Sequence, residues 1–428
     1  MKRTIIFLIF LTTTTHSFAE NFVFNPKCIL PLRHTESALQ ARLQAIRRAE
    51  KEIVMTYFEI GDGIKTQLVL NELILARRRG VDVKIITDWV VSKISPHYLQ
   101  LFDENGIQIK FYNHPNLKNI FHLTQRNHQK YIVVDRDILL IGGRNLDDRY
   151  FENDKNVKGT FYDFDLVLKG TVATEAADYF FNFWNKGYRL SQKKVNMENI
   201  DSIDQELKLQ KRTELNPKID FTLLDCDKSE FNANLPNKED EMHSDIENLY
   251  VQLIDQAQEE IVIENAYVTL NNRIHQALAR AAVRINPFTG RRVSIDIISN
   301  SLISNDIPIV YASFSRNRKK LFKLGVHFYE FPFQQTLHSK MAIFDKKTAI
   351  VGSFNLDRRA SNFNMEDIVT IKDPEAASNI LTYLEETKKD SVFIKSNRVS
   401  AYFKIPIKLK LKNFFNKLIL LRFLDRQL

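Results

Sequence analysis

With 428 residues the chain has room for two domains or for one large two-lobed unit. Its apolar (44%) and charged (26%) shares are those of a soluble globular protein and exclude a low-complexity or fibrous chain. A net charge of +9 suits an anionic partner, phospholipid headgroup or nucleic acid, without choosing between them.

Residues 1–19 read as a secretory signal. Lys2 and Arg3 form the positive start, Ile5 to Leu11 the apolar core, and Ser17-Phe18-Ala19 the cleavage site before Glu20. The apolar run stops at Thr12, short of the ~20 residues a spanning helix needs, so an exported protein is expected, periplasmic or secreted. The pattern over 20–190 then predicts a first lobe. It alternates a helix from Ala38 to Ala49, a strand from Glu52 to Phe58, a helix from Lys65 to Arg79 and a strand from Val81 to Thr87. A helix from Pro96 to Asn105 and a strand from Ile107 to Tyr112 follow. Two short apolar strands, Tyr131 to Val134 and Ile138 to Ile141, precede a closing strand from Asp163 and a helix from Val172 to Trp184.

Residues 191–239 are polar and charge-rich, and read as an inter-lobe linker. A second lobe over 240–392 repeats the order of the first, from a helix through Glu241 to Gln258 to a closing helix from Pro374 to Glu386. Strands alternating with helices in each half predict an α/β sandwich per lobe. The tail over 393–428 carries seven basic residues from Ala401 onward against the single acid Asp425. Leu411, Phe414, Phe415, Leu418 and Leu421 share one helical face there, which suits a peripheral, membrane-associated helix or a helix docked on the body. Cys28 and Cys226 are the only cysteines; one disulfide between the lobes and two buried thiols both fit. With no CxxC and no Cys/His cluster, no metal site is expected.

One spaced pattern occurs twice. His128-Gln129-Lys130, four residues, Asp135, six residues and Gly142-Gly143-Arg144-Asn145 is matched by His338-Ser339-Lys340, Asp345 and Gly352-Ser353-Phe354-Asn355 at identical spacing. A lone His-x-Lys is a common surface-strand feature; two copies in matching context are not. Alternation along a strand sends the histidine and lysine of each copy to the same side. Two imidazoles, two ammonium groups and two amides around one pocket suit a phosphodiester. One histidine attacks phosphorus to form a phosphohistidine, and the other moves protons at the leaving and incoming oxygens. The lysines, Asn145 and Asn355 stabilise the five-coordinate transition state, and small residues at Gly143 and Ser353 allow close approach. Each lysine should hold its imidazole neutral. A histidine in this role needs a carboxylate behind its second nitrogen, and the candidates are Asp163 and Glu366. The motif aspartates Asp135 and Asp345 complete the catalytic pattern, although strand parity turns them from the histidines toward a structural task. Tyr57 and Tyr267, at matching strand ends, could line the cleft or pack in the core, whereas His114, His122 and His327 read as loop or packing residues.

These residues resemble the phospholipase D superfamily, whose motif is His-x-Lys-(x)4-Asp-(x)6-Gly-Ser-x-Asn in two copies. The flanks Asp148-Arg149-Tyr150-Phe151, Leu356-Asp357-Arg358-Arg359 and Asn364-Met365-Glu366 are most similar to the bacterial cardiolipin synthase branch. Gly143 stands where the family carries serine. The resemblance implies two tandem α/β/α lobes related by pseudo-two-fold symmetry, with the active site at their interface and no metal or cofactor. It gives His128 the nucleophile's role and His338 the acid/base role. It further implies a monomeric phosphatidyltransferase or phospholipase D acting on an anionic phospholipid, without nucleic acid; the alternative is an exported nuclease or phosphodiesterase of the same superfamily.

Overall fold

The computed structural model describes residues 27–115, 124–187, 189–193, 217–234 and 245–395, together with Leu411 and Asn413. The predicted leader, most of the linker and nearly all of the tail lie outside the described residues. Among the described residues no helix is long and apolar enough to cross a membrane.

The first lobe runs β1 (Ile29–Leu32), α1 (Thr35–Arg48), β2 (Glu52–Tyr57), α2 (Ile64–Arg78), β3 (Asp82–Asp88), α3 (Pro96–Asn105) and β4 (Gln108–Tyr112). It continues with β5 (Arg126–Asn127), β6 (Lys130–Val134), β7 (Ile138–Gly142), β8 (Phe161–Tyr162), β9 (Asp165–Lys169), α4 (Thr171–Lys186) and β10 (Leu190–Ser191). The second lobe runs β11 (Ser229–Ala233), α5 (Asp245–Gln256), β12 (Glu260–Asn265), α6 (Asn272–Val283), β13 (Ser294–Asn300), α7 (Pro308–Lys323) and β14 (His327–Phe331). Then come β15 (Thr336–Leu337), β16 (Lys340–Phe344), β17 (Thr348–Gly352), α8 (Arg358–Asn362), β18 (Asn364–Met365), β19 (Asp367–Ile371), α9 (Pro374–Asp390) and β20 (Val392–Phe393).

Each lobe holds one eight-stranded sheet. The first has the order β1-β9-β7-β6-β2-β3-β4-β10, and adding ten to every number gives the second. The duplication read from the motifs is thus a duplication of the whole sheet. Strands β6, β7, β16 and β17 are apolar and β-branched because they lie mid-sheet with both faces covered. Helix ends follow local chemistry: Ser95 caps α3 ahead of Pro96, and Gly106 closes it in a left-handed conformation. Helices α1, α2 and α3 cover the outer face of the first sheet, and α5, α6 and α7 the outer face of the second. The inner faces share one apolar core, to which α4 brings Phe180 and α9 brings Ile380 and Leu384. The α/β/α layering of both lobes is as expected.

The stretch read as a linker is more structured than its composition suggests. Ile219 and Phe221 pack on the outer core of the first lobe, and β11 pairs antiparallel with β19, so the second sheet begins before residue 240. Between these points Cys28 and Cys226 form a disulfide with Cα atoms 4.9 Å apart. It ties the residue before β1 to the segment before β11.

Two short parallel ribbons stitch the lobes together. β5 pairs with β18, Arg126 opposite Asn364, and β8 pairs with β15, Phe161 opposite Thr336. Each ribbon ends at a motif histidine on one side and at a candidate carboxylate on the other.

Candidate active site

The ribbons set the geometry. His128 follows β5, and its backbone N–H donates 2.9 Å to Met365 O at the end of β18; Glu366 is the next residue. His338 follows β15, and its N–H donates 2.7 Å to Tyr162 O at the end of β8; Asp163 is next. The carboxylates therefore cross between lobes. His128 Nδ1 lies 2.8 Å from Glu366 Oε2, and His338 Nδ1 lies 2.7 Å from Asp163 Oδ2. Both histidines line a shared cavity of about 500 Å³ whose wall comes from both lobes and includes Asn145 and Asn355. The sequence supplied the two carboxylates but not their exchange, because a pairing between distant short strands leaves no local pattern.

Lys130 and Lys340 are buried just beneath the histidines rather than on the cavity wall. Each ammonium donates to the carbonyl of its own motif histidine, and Lys340 Nζ also lies 2.9 Å from His338 Nδ1. Their charge reaches the cavity as a field from below. Asn145 is tied down by its amide, which donates 2.8 Å to the Tyr150 hydroxyl, while Asn355 Oδ1 is buried without a hydrogen-bond partner.

Gly143 and Ser353 show why the two copies differ. A Cβ at Gly143 would lie 2.1 Å from Asp163 Oδ1, so only glycine leaves room for this carboxylate. Ser353 instead donates its hydroxyl to Glu366. Asp135 and Asp345 do not line the cavity. Asp135 accepts from the N–H groups of Glu50, Lys51 and Glu52 at 2.8–2.9 Å, and Asp345 from those of Gln258, Glu259 and Glu260 at 2.8–3.0 Å. Both sit at the far ends of β6 and β16, where their positive φ turns the chain; strand parity had pointed the same way.

The tyrosines part company. Tyr57 stands opposite Lys130 in the sheet, whereas the residue opposite Lys340 is Asn265, so Tyr57 and Tyr267 are not equivalent. Tyr57 is core, with Arg42 Nε donating 3.1 Å to its hydroxyl, and Tyr267 lines the cavity. Neither His114, beside Trp89, nor His327, bound to Asp296, reaches the cavity, and His122 lies outside the described residues. Two buried groups carry little sequence signal. Arg144 donates to Leu32 O, Arg33 O and Asp165, and Arg33 crosses to Glu264 of the second lobe at 2.9 Å.

Burial dominates the protonation of the cluster. It holds His128 well below the usual imidazole range, and Lys130, Lys340 and Arg359 push the same way. His338 falls to about 3 through burial and Lys340, against the pull of Asp163. Burial also lowers Lys130 to about 8 and Lys340 to about 7. The two carboxylates diverge. Burial lifts Glu366 to about 8, but at Asp163 it is outweighed by His338, Lys340 and Arg144, which bring it to about 2. Two neutral imidazoles over two cations form a receptor for an anionic diester in which either nitrogen can attack or accept a proton.

The family model described as "Cardiolipin synthase, PLD-like domain" matches residues 43–184 and 250–388, one stretch in each lobe. The chain belongs to that family. An uncharacterized protein of Helicobacter pylori strain J99 is 26% identical over 89% of this chain and 84% of its own length. Cardiolipin synthase C of Escherichia coli K12 is 27% identical over 79% of this chain and 80% of its own. In fold the chain is similar to the phosphatidylserine synthase of Haemophilus influenzae, with a TM-score of 0.65 at 17% identity over 92% of this chain and 94% of that one. The chain is thus a PLD-like enzyme of the cardiolipin synthase family, and the paired histidines lie where the family's two matched stretches meet.

Proposed function

We propose that the protein transfers or hydrolyses phosphatidyl groups of anionic phospholipids through a covalent phosphohistidine. The observation that carries this reading is the pair of opposed histidines on one cavity, each backed by a carboxylate of the other lobe. His128 Nε2 attacks phosphorus, and the leaving alkoxide takes a proton from His338. His338 enters this step as the imidazolium, having gained its proton from solvent as the negative charge of the bound diester offsets the lysines. A second alcohol or water then gives its proton to His338 and attacks phosphorus, and the bond to His128 breaks. The buried lysines offset the charge on the equatorial oxygens. Asp163, kept ionised, stabilises the imidazolium form of His338, which donates in the first half-reaction and is formed again in the second.

Export and contact with a membrane surface through residues 401–428 belong to the same proposal. The Cys28–Cys226 disulfide supports export, since such bonds persist in oxidising compartments. One chain supplies both half-sites, so a monomer suffices. The test is to incubate the mature protein with phosphatidylglycerol vesicles and, separately, with plasmid DNA, and to identify products by mass spectrometry. Phosphatidic acid reports hydrolysis and cardiolipin reports transfer, both lost in His128→Ala and His338→Ala. Intact lipid with nicked DNA would overturn the reading in favour of a nuclease.

A further inference from the structure

Arg33, the residue after β1, reaches across the seam to the His338 half of the site. Its guanidinium carbon sits 4.7 Å from the ring centre of Tyr162 and 5.1 Å from that of Phe164, the two chain neighbours of Asp163. Its Nη1 donates 2.9 Å to Glu264 Oε1 in β12. The same oxygen accepts the hydroxyl of Ser339, which lies between His338 and Lys340. The Arg33 carbonyl is held in turn by Arg144 Nη2 at 2.6 Å. One residue therefore touches both flanks of the carboxylate in the first lobe and, through Glu264, the histidine segment of the second. The side chains of the ion pair are only 3% and 0% exposed. The desolvation of two charges is recovered only in close geometry, so such a pair tolerates little displacement.

The His128 half is built differently. Gln129 holds the place of Ser339 in the motif, and Thr56, opposite Tyr131 as Glu264 is opposite Met341, holds the place of Glu264. Gln129 donates 2.7 Å to the Tyr179 hydroxyl, which donates 2.7 Å to the carbonyl of Asn234, the residue after β11. The Thr56 hydroxyl accepts from the Asn127 amide at 2.9 Å. These links are all neutral. The duplicated motif is thus braced by an ion pair beside one histidine and by neutral hydrogen bonds beside the other.

We propose that Arg33, acting through Glu264, is a positioning residue for the Asp163–His338 pair, and that it governs proton transfer at the exchanging oxygen without governing attack by His128. The inference rests on the phosphatidyl-transfer reading with His338 as acid and base. In the first step the phosphorus–His128 bond forms and the bond from phosphorus to the leaving oxygen breaks. The electron pair left on an alkoxide takes the His338 proton, which demands hydrogen-bond reach between the two. A phenolate of low basicity leaves with its electron pair and no proton, and is indifferent to where His338 stands.

The test compares single-turnover cleavage, by the full chain, of phosphatidylglycerol and of phosphatidyl-p-nitrophenol. The first must release a protonated alcohol; the second releases nitrophenolate. Arg33→Met with Glu264→Leu replaces the pair by apolar side chains, a change that interiors tolerate, and thermal unfolding checks that the variant is folded. Cleavage of phosphatidylglycerol should fall about a hundredfold, with nitrophenolate release kept within about threefold of the wild type. Arg33→Lys, which keeps the charge but not the planar fork, should show the same selectivity at smaller size. An equal loss on both esters in either variant overturns the proposal, since Arg33 then supports the site as a whole. Unchanged cleavage of phosphatidylglycerol overturns it as well, although the lipid chemistry then stands. A wild type that cleaves neither ester overturns the phosphatidyl-transfer reading, and this inference with it.

Discussion

The carboxylate behind each histidine is held by a space-filling match with the residue beside it. Asp163 fits against Gly143, and Glu366 against the Ser353 hydroxyl. In Gly143→Ala the new methyl group has to displace the Asp163 carboxylate from His338. Turnover should fall about a hundredfold with little change in KM, as steady-state kinetics would show. A second consequence lies in the lysines. Lys340 titrates near 7 and Lys130 near 8, so raising the pH from 6 to 9 removes two cations from beneath the cavity. The histidines are already neutral over this range, since both are held below the usual imidazole value. Sulfate, whose charge stays constant, should therefore inhibit strongly at pH 6 and weakly at pH 9. Inhibition that strengthens with pH would contradict the assignment. Glu366 gives a third test. A carboxyl raised to about 8 in the folded state contributes stability that is fully present below about 4.5 and lost as the pH rises through 8. Glu366→Gln should accordingly lose less thermal stability than the wild type between pH 5 and pH 8.

At the scale of elements, the motif aspartates act on β-turns rather than on chemistry. Asp135 closes the β6–β7 turn onto three N–H groups leading into β2, and Asp345 does the same between β16–β17 and β12. Asp135→Ala should cost about 1–3 kcal/mol in urea unfolding and leave turnover per folded molecule intact. A loss of turnover without a loss of stability would return Asp135 to the catalytic set. The long periodic elements were legible in the sequence: the β2, α2, β3, α3 succession and its copy in the second lobe follow apolar spacing closely. The short ones were not. β1, β5, β8, β11, β15 and β18 are strands only because a distant partner lies alongside, and two to five residues carry no period of their own. They include both ribbons that bring the site together, which is why the histidines, lysines and carboxylates were legible as a set while the exchange of carboxylates was not.

At the scale of the molecule, the lobes are joined by the shared core, the two ribbons, the Arg33–Glu264 ion pair and the disulfide. Removing the disulfide, as in Cys28→Ser with Cys226→Ser, should lower unfolding stability by about 2–4 kcal/mol; equal stability with and without the bond would contradict this. The crossed carboxylates carry a further implication, for how such a molecule can change. Neither half owns a complete proton relay, so the duplicated copies are held to one another as two signatories to a single agreement. A substitution at Asp163 is felt at His338 and one at Glu366 is felt at His128, each in the opposite half. A substitution on a solvent face of the outer helices touches neither pair, whereas one at the seam acts across both halves.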